Sequence, residues 1–177
     1  MSMVQTELYN PVTGMRLRET SDPQAGSDAE LVWEAMYPPH SPEPPPHFHP
    51  WQNERMEILS GSLCSRVNGI VHELWPGETL EIPAGTPHSM WNPAAKAATS
   101  IWRTTPARHR RELFTRLYDL AQKGRTNDQG VPNLLQVAVL ESAYPDEIRL
   151  AHPPLFVQRV VFAVLASLGR LLGYRAS

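Results

Sequence analysis

Three histidines and a glutamate stand at spacings that bring them to one point. In Pro46-His47-Phe48-His49-Pro50 the two histidines are two residues apart, and on an extended segment residues i and i+2 project to the same side. A loop of four residues then returns the chain, and Glu54 offers a carboxylate from the next strand. A second stretch, from Gly77 through Pro83 and Gly85 to His88, ends a tight Pro/Gly turn with a third imidazole. Three neutral nitrogens and one carboxylate suit an intermediate or borderline divalent ion: Fe, Mn, Ni, Co, Zn or Cu. Four protein ligands leave one or two positions open on a five- or six-coordinate ion, which a catalytic site needs and a closed structural site lacks. We therefore expect one divalent metal ion per chain on His47, His49, Glu54 and His88, its identity left open.

The elements that must position these groups are short strands. Strand-like segments fall at about 15–18, 31–37, 55–59, 63–67, 70–74, 79–82, 89–91 and 98–103, separated by Asn68-Gly69, Trp75-Pro76-Gly77, Pro83-Ala84-Gly85 and Asn92-Pro93. Asn68-Gly69 suits a type I′ hairpin turn, whose twist matches the strands it joins. Closely spaced strands with frequent turn signals point to an all-β sandwich or barrel. The 18 prolines in 177 residues disfavour an all-helical chain.

The chain changes character near Thr104-Thr105-Pro106. Residues 1–105 carry 6 Lys/Arg against 12 Asp/Glu, whereas residues 106–177 carry 10 against 6. A basic helical tail packed on or near an acidic β-rich body is the simplest account. Thr105 is placed to cap a helix with Pro106 at its first position, and Leu113, Phe114, Leu117, Tyr118 and Leu120 follow on one face before Gly124 stops it. A second helix is expected after Pro132, through Leu134 to Leu140, and a third from Pro154 to Leu172. The third has a longest charge-free stretch of ten residues, Val160 to Gly169, short of the roughly 20 that span a bilayer. Burial against the barrel or a second subunit is the expectation for it. An amphipathic membrane-surface helix with two arginines is the alternative.

Other classes are excluded by composition. A net charge of −2 and no basic recognition helix give no case for nucleic-acid binding. A single cysteine, Cys64, rules out an intramolecular disulfide framework and a Cys-rich zinc module. Met1 to Glu7 carries neither a basic n-region nor an apolar h-region, so a cytoplasmic protein is expected.

The two stretches resemble the signature motifs of the cupins, H-x-H-x4-E-x6-G at 47–61 and G-x5-P-x-G-x2-H-x3-N at 77–92. The second fits at every position; in the first, Ser41 holds the place of the usual leading glycine. The resemblance covers about residues 30–104. It implies a single antiparallel double-stranded β-helix, a jelly-roll barrel, over residues 1–105. A C-terminal α-helical extension over 106–177 would pack on the barrel or a dimer partner. It also implies a homodimer, since cupin barrels commonly pair through their sheets.

Alternation extends the reading to a pocket. With Glu54 pointing inward, Met56 and Ile58 follow; with His88 inward, Met90 joins, and Leu80 and Ile82 do so from the preceding strand. A wall of Met, Leu and Ile offers no partners to a hydroxylated ligand, whose unpaired polar groups cost about 1–3 kcal/mol each when buried. An apolar or aromatic small molecule is the expected substrate. These side chains serve equally as plain barrel core. By analogy with cupins, the first functional reading is a metal-dependent, dioxygenase-type enzyme with Glu54 as ligand and general base. The others are a non-redox isomerase, cyclase or lyase, and a non-catalytic small-molecule binder.

Overall fold

Strand pairing is antiparallel throughout and builds two sheets with one shared interior. The computed structural model describes residues 7–22 and 24–176. Its strands are β1 (Glu7–Tyr9), β2 (Arg16–Glu19), β3 (Leu31–Tyr37), β4 (His47–Phe48), β5 (Asn53–Ser60), β6 (Leu63–Val67), β7 (Ile70–Leu74), β8 (Thr79–Ile82), β9 (His88–Trp91), β10 (Ala98–Thr105) and β11 (Arg149–Leu150). Helices are α1 (Arg110–Gln122), α2 (Leu134–Ala143) and α3 (Leu155–Leu171). One sheet runs β1-β2-β3-β10-β5-β8 and the other β11-β4-β9-β6-β7. The chain is therefore mainly β, with the helices at its C-terminal end.

Alternation fixes which faces meet. In β3 and β10 every second residue is buried, as a strand with one face on a core requires. Leu31, Trp33, Met56, Ile58 and Trp102 from one sheet join Leu63, Leu74 and Met90 from the other in a single cluster. Trp33 packs edge-on against Trp102 at 5.5 Å and against Phe114 of α1 at 5.0 Å. Each such buried side chain contributes about 1.5–3 kcal/mol. The Asn68-Gly69 turn pairs Val67 with Ile70, and both turn residues have positive φ, 49° and 84°, as type I′ demands.

Three expectations change. Thr105 does not cap a helix: it is the last residue of β10, paired with Asn53, and α1 begins at Arg110 after His109, with no side-chain cap. The ladder to β5 outweighs the local Thr-Pro signal. Strands β4 and β11 were not foreseen; they pair with each other, Leu150 with His47 and Arg149 with Phe48. The C-terminal segment thus adds an edge strand beside the first histidine motif. The helices also divide their roles. Phe114, Leu117 and Tyr118 of α1 pack into the core between the sheets, while α3 packs on α2 through Phe162 and Ala166.

Candidate metal centre

His47 on β4 lies opposite His88 on β9 in register, and His49 follows just beyond β4. Glu54 comes from β5 in the other sheet, between Thr104 and Ile82, so the carboxylate faces the imidazoles across the interior. One ring nitrogen from each of His47, His49 and His88 lies within 4.8 Å of the others, close enough to hold a metal ion together, and the rings are 4.7–5.2 Å apart. Glu54 meets this triple along one edge. Its Oε1 is 3.3 Å from His49 Nε2 and its Oε2 is 3.0 Å from His88 Nε2.

Each ring is oriented from behind. Nδ1 of His47 donates to the Pro45 carbonyl (3.0 Å), Nδ1 of His49 to Glu147 (2.5 Å) and Nδ1 of His88 to Thr86 (2.9 Å). A proton fixed on Nδ1 leaves the Nε2 lone pair facing the centre, the tautomer a metal-binding histidine needs. Burial, with the neighbouring His88, pushes His47 down to about 4; burial and Arg110 hold His49 well below the ordinary histidine range. Burial alone would raise the Glu54 carboxyl, but His49, Arg110 and His88 together draw it well below the usual carboxylate value. Neutral imidazoles and an ionised carboxylate are the protonation states metal binding requires. Glu54 Oε2 is buried without a hydrogen-bond partner. Lone pairs and an orphaned carboxylate oxygen converging on one point form a donor set that fits a divalent cation.

Arg110, the first residue of α1, is the feature the motif spacing missed. Its side chain is completely buried, and Nη2 pairs with Glu54 Oε1. Nη1 lies 3.0 and 3.1 Å from the two ring nitrogens of His49; near-equal distances place it over the ring face rather than in line with either nitrogen. The guanidinium lies against both Trp102 and Phe114, 4.9 and 4.8 Å from their ring centres, a cation–π arrangement that is strongest when desolvated. Its signal was present in the sequence: Arg110 lies three, four and seven residues before Leu113, Phe114 and Leu117, on the apolar stripe of that helix.

The segment before β11 completes the support. Glu147, fully buried, accepts from the His109 backbone N–H (2.7 Å) and from Gln52 Nε2 (3.0 Å), while its own carbonyl holds His49. Gln52 Nε2 also lies 3.1 Å from the carbonyls of Pro106 and Ala107. One residue thus locks the histidine loop, the start of α1 and the C-terminal segment together. At the motif positions beyond these four residues, Asn92 is structural. Its side-chain amide donates to the carbonyls of Tyr37, Pro38 and Lys96, and its backbone N–H donates to Ser41 Oγ at 2.8 Å.

A cavity of about 260 Å³ opens beside His47, His88 and Glu54. Its wall includes Met56, Met90, Leu113, Phe114, Tyr118 and Leu140. Of the residues expected there, Met56 and Met90 line it; Ile58, Leu80 and Ile82 do not. Ile58 points inward, as alternation demands, but lies deeper in the core, and Leu80 packs against that core. Ile82 is buried beside Glu54 on β8. Parity sets the side a residue faces and leaves its depth open, and helices α1 and α2 supply the wall that β8 was expected to give. Glu141 of α2 also lines the cavity. Burial pushes its carboxyl up to about 7 even though Arg149 lies 3.0 Å away.

The fold is thus a two-sheet antiparallel jelly roll with a cluster of three histidines, able to hold a metal ion, on its inner face. Residues 33–102 match the family model described as "Cupin domain", and this part of the chain is similar to cupin domains. Among solved structures it is similar to a sugar phosphate isomerase of the cupin superfamily from Silicibacter pomeroyi (23% identity, TM-score 0.48), covering 58% of this chain and 66% of that one. It is also similar to KdgF from Halomonas sp. (16%, TM-score 0.48; 55% and 84% covered). A third likeness is to the polyketide cyclase RemF from Streptomyces resistomycificus (28%, TM-score 0.45; 51% and 64% covered). No curated protein matches the chain. No activity passes from these likenesses to this chain.

Proposed function

We propose that this protein is a metal-dependent enzyme acting on a small apolar or aromatic molecule, first of all by dioxygenase-type chemistry. The observation that carries the reading is the histidine cluster, with every Nδ1 tied back, opening onto an almost wholly apolar cavity. His47, His49, His88 and Glu54 would hold the ion. When bound, the ion would supply Lewis-acid polarisation of a substrate oxygen or, if redox-active, electron transfer involving dioxygen.

The chain's own groups have distinct parts. Arg110 keeps Glu54 ionised and limits its rotation. The depressed Glu54 carboxyl suits a ligand and makes a weak proton acceptor, so the base role falls less to it. The wall of Met56, Met90, Leu113 and Phe114 excludes water and selects against hydroxylated ligands. Glu141, with its carboxyl near neutrality, is the cavity group tuned to give or take a proton at working pH. That residue is the observation favouring a second reading, a non-redox isomerase, cyclase or lyase. Residues 1–105 form the site domain in this proposal, and residues 106–177 form an extension that supports the site. The expected setting is cytoplasmic, as a homodimer paired through its sheets.

Oxygen uptake by protein reconstituted separately with Fe(II), Mn(II), Ni(II) and Cu(II), against a panel of small phenols and other aromatics, tests the proposal. Substrate-dependent oxygen consumption supports the dioxygenase reading. Substrate loss under nitrogen moves the assignment to the non-redox class. Binding without turnover in either atmosphere overturns both and leaves a binding protein.

A further inference from the structure

Helix α3 is seated on α2 by one narrow face and leaves the opposite face bare. Its buried residues are Gln158, Phe162, Ala166 and Gly169. A Cβ at Gly169 would stand 2.9 Å from Val139 Cγ2 and 3.2 Å from the Leu135 carbonyl oxygen, so the two helices approach at a distance only glycine permits. Around the rest of the helix stand Phe156, Val160, Val161, Val164, Leu168 and Leu171, all exposed, with Phe156 at 72% and Leu171 at 85%. At 3.6 residues per turn they cover roughly 140° of the helix surface, wider than the seam of a two-helix contact. Arg159 and Arg170 border this face along one edge.

Charge decides what covers it. From Ile148 to Ser177 the sequence holds four arginines, at 149, 159, 170 and 175, and no acidic residue. A second copy of α3 set antiparallel against the first would bring the two arginine edges together, and in either orientation neither helix offers an acid to meet them. An anionic lipid surface meets both needs at once, because apolar side chains enter the acyl boundary while arginines reach the headgroups. No helix among the described residues is long and apolar enough to cross a membrane, so the helix would lie in the interface. We propose that α3 docks this protein on anionic membrane surfaces through its exposed apolar face. The seating on α2 presents that face preformed, and no segment has to fold on binding.

Co-flotation of the full chain with phosphatidylcholine vesicles, with and without phosphatidylglycerol, tests this directly. The expected result is flotation with the phosphatidylglycerol vesicles, weakened by salt. Phe156→Glu with Val164→Glu should abolish it. Arg159→Gln with Arg170→Gln should weaken it about thirtyfold, at roughly one decade and a half for two arginines. These sites are exposed, and unchanged thermal melting and metal content confirm that each variant is folded. A folded wild type that ignores phosphatidylglycerol vesicles overturns the proposal. So does light scattering that finds an oligomer which Val164→Glu dissociates, since a second copy would then be the occupant.

Discussion

Replacing Arg110 with methionine should raise metal affinity while destabilising the metal-free protein. In the absence of metal, Glu54 is fully buried and Arg110 is its full countercharge, itself fully buried. Removing one member of a buried ion pair strands the other, at about 3–5 kcal/mol. Loss of the Trp102 and Phe114 contacts to the guanidinium adds to this, offset in part by the volume methionine fills. For a chain of this size, each kcal/mol moves the melting midpoint by roughly 2–4 °C, so the metal-free variant should melt about 6–20 °C below the wild type. With metal bound, the cation itself neutralises Glu54 and most of that loss disappears. Stabilisation by metal must then be larger in the variant, and by linkage its metal affinity higher. Calorimetric melting in chelator and in saturating Mn(II), with a competitive metal titration of both proteins, measures every leg of this cycle. Equal or weaker metal affinity in Arg110→Met, or a metal-free midpoint matching the wild type, refutes the idea that Arg110 and the ion compete for Glu54.

Further outcomes follow from the same geometry. Glu147→Ala frees the carbonyl that orients His49 and should cost about 10–100-fold in metal affinity, measured by competition with a chromophoric chelator; unchanged affinity would remove Glu147 from the support. His47 is pushed down from the ordinary 6.5 to about 4, so the unfolded chain takes up this proton first as the pH falls. Metal-free stability should therefore decline as pH drops from 6.5 towards 4, seen as falling urea midpoints, and His47→Asn should flatten that slope. Glu141, raised from 4.5 to about 7, acts in the opposite sense. It favours the folded state below 4.5, and that contribution is lost as pH rises through 7. Glu141→Gln should therefore steepen the loss of metal-free stability on acidification between 6.5 and 4.5, and a variant with an unchanged profile would show that the carboxyl titrates normally.

The convergence of His47, His49, Glu54 and His88 and most of the strands were legible because their causes are local. Histidines two apart on an extended segment, the Asn68-Gly69 turn and the alternation of β3, β5 and β10 are written in neighbouring residues. The parts that were not legible depend on distant partners. Strand β4 is a two-residue strand after the proline run 44–46, where no periodicity exists, and it is a strand because β9 and β11 flank it. Glu147 reads as one acid in a loop until the fold brings its carbonyl to His49, 98 residues away. Arg110 was visible as a charge on an apolar stripe but had no motif to explain it. For α3, helical spacing was evident, whereas which face is covered depends on Ala166 and Gly169 meeting α2.

In the proposed function His47, His49, Glu54 and His88 hold a metal ion. Elemental analysis of untagged wild-type protein beside His49→Ala/His88→Ala tests it most directly, with circular dichroism on both. The expected result is close to one divalent ion per wild-type chain and essentially none in the double variant, the β-sheet signal being retained because the hydrophobic core is intact. Full metal content in the double variant, or a wild type that stays empty after reconstitution, would contradict it.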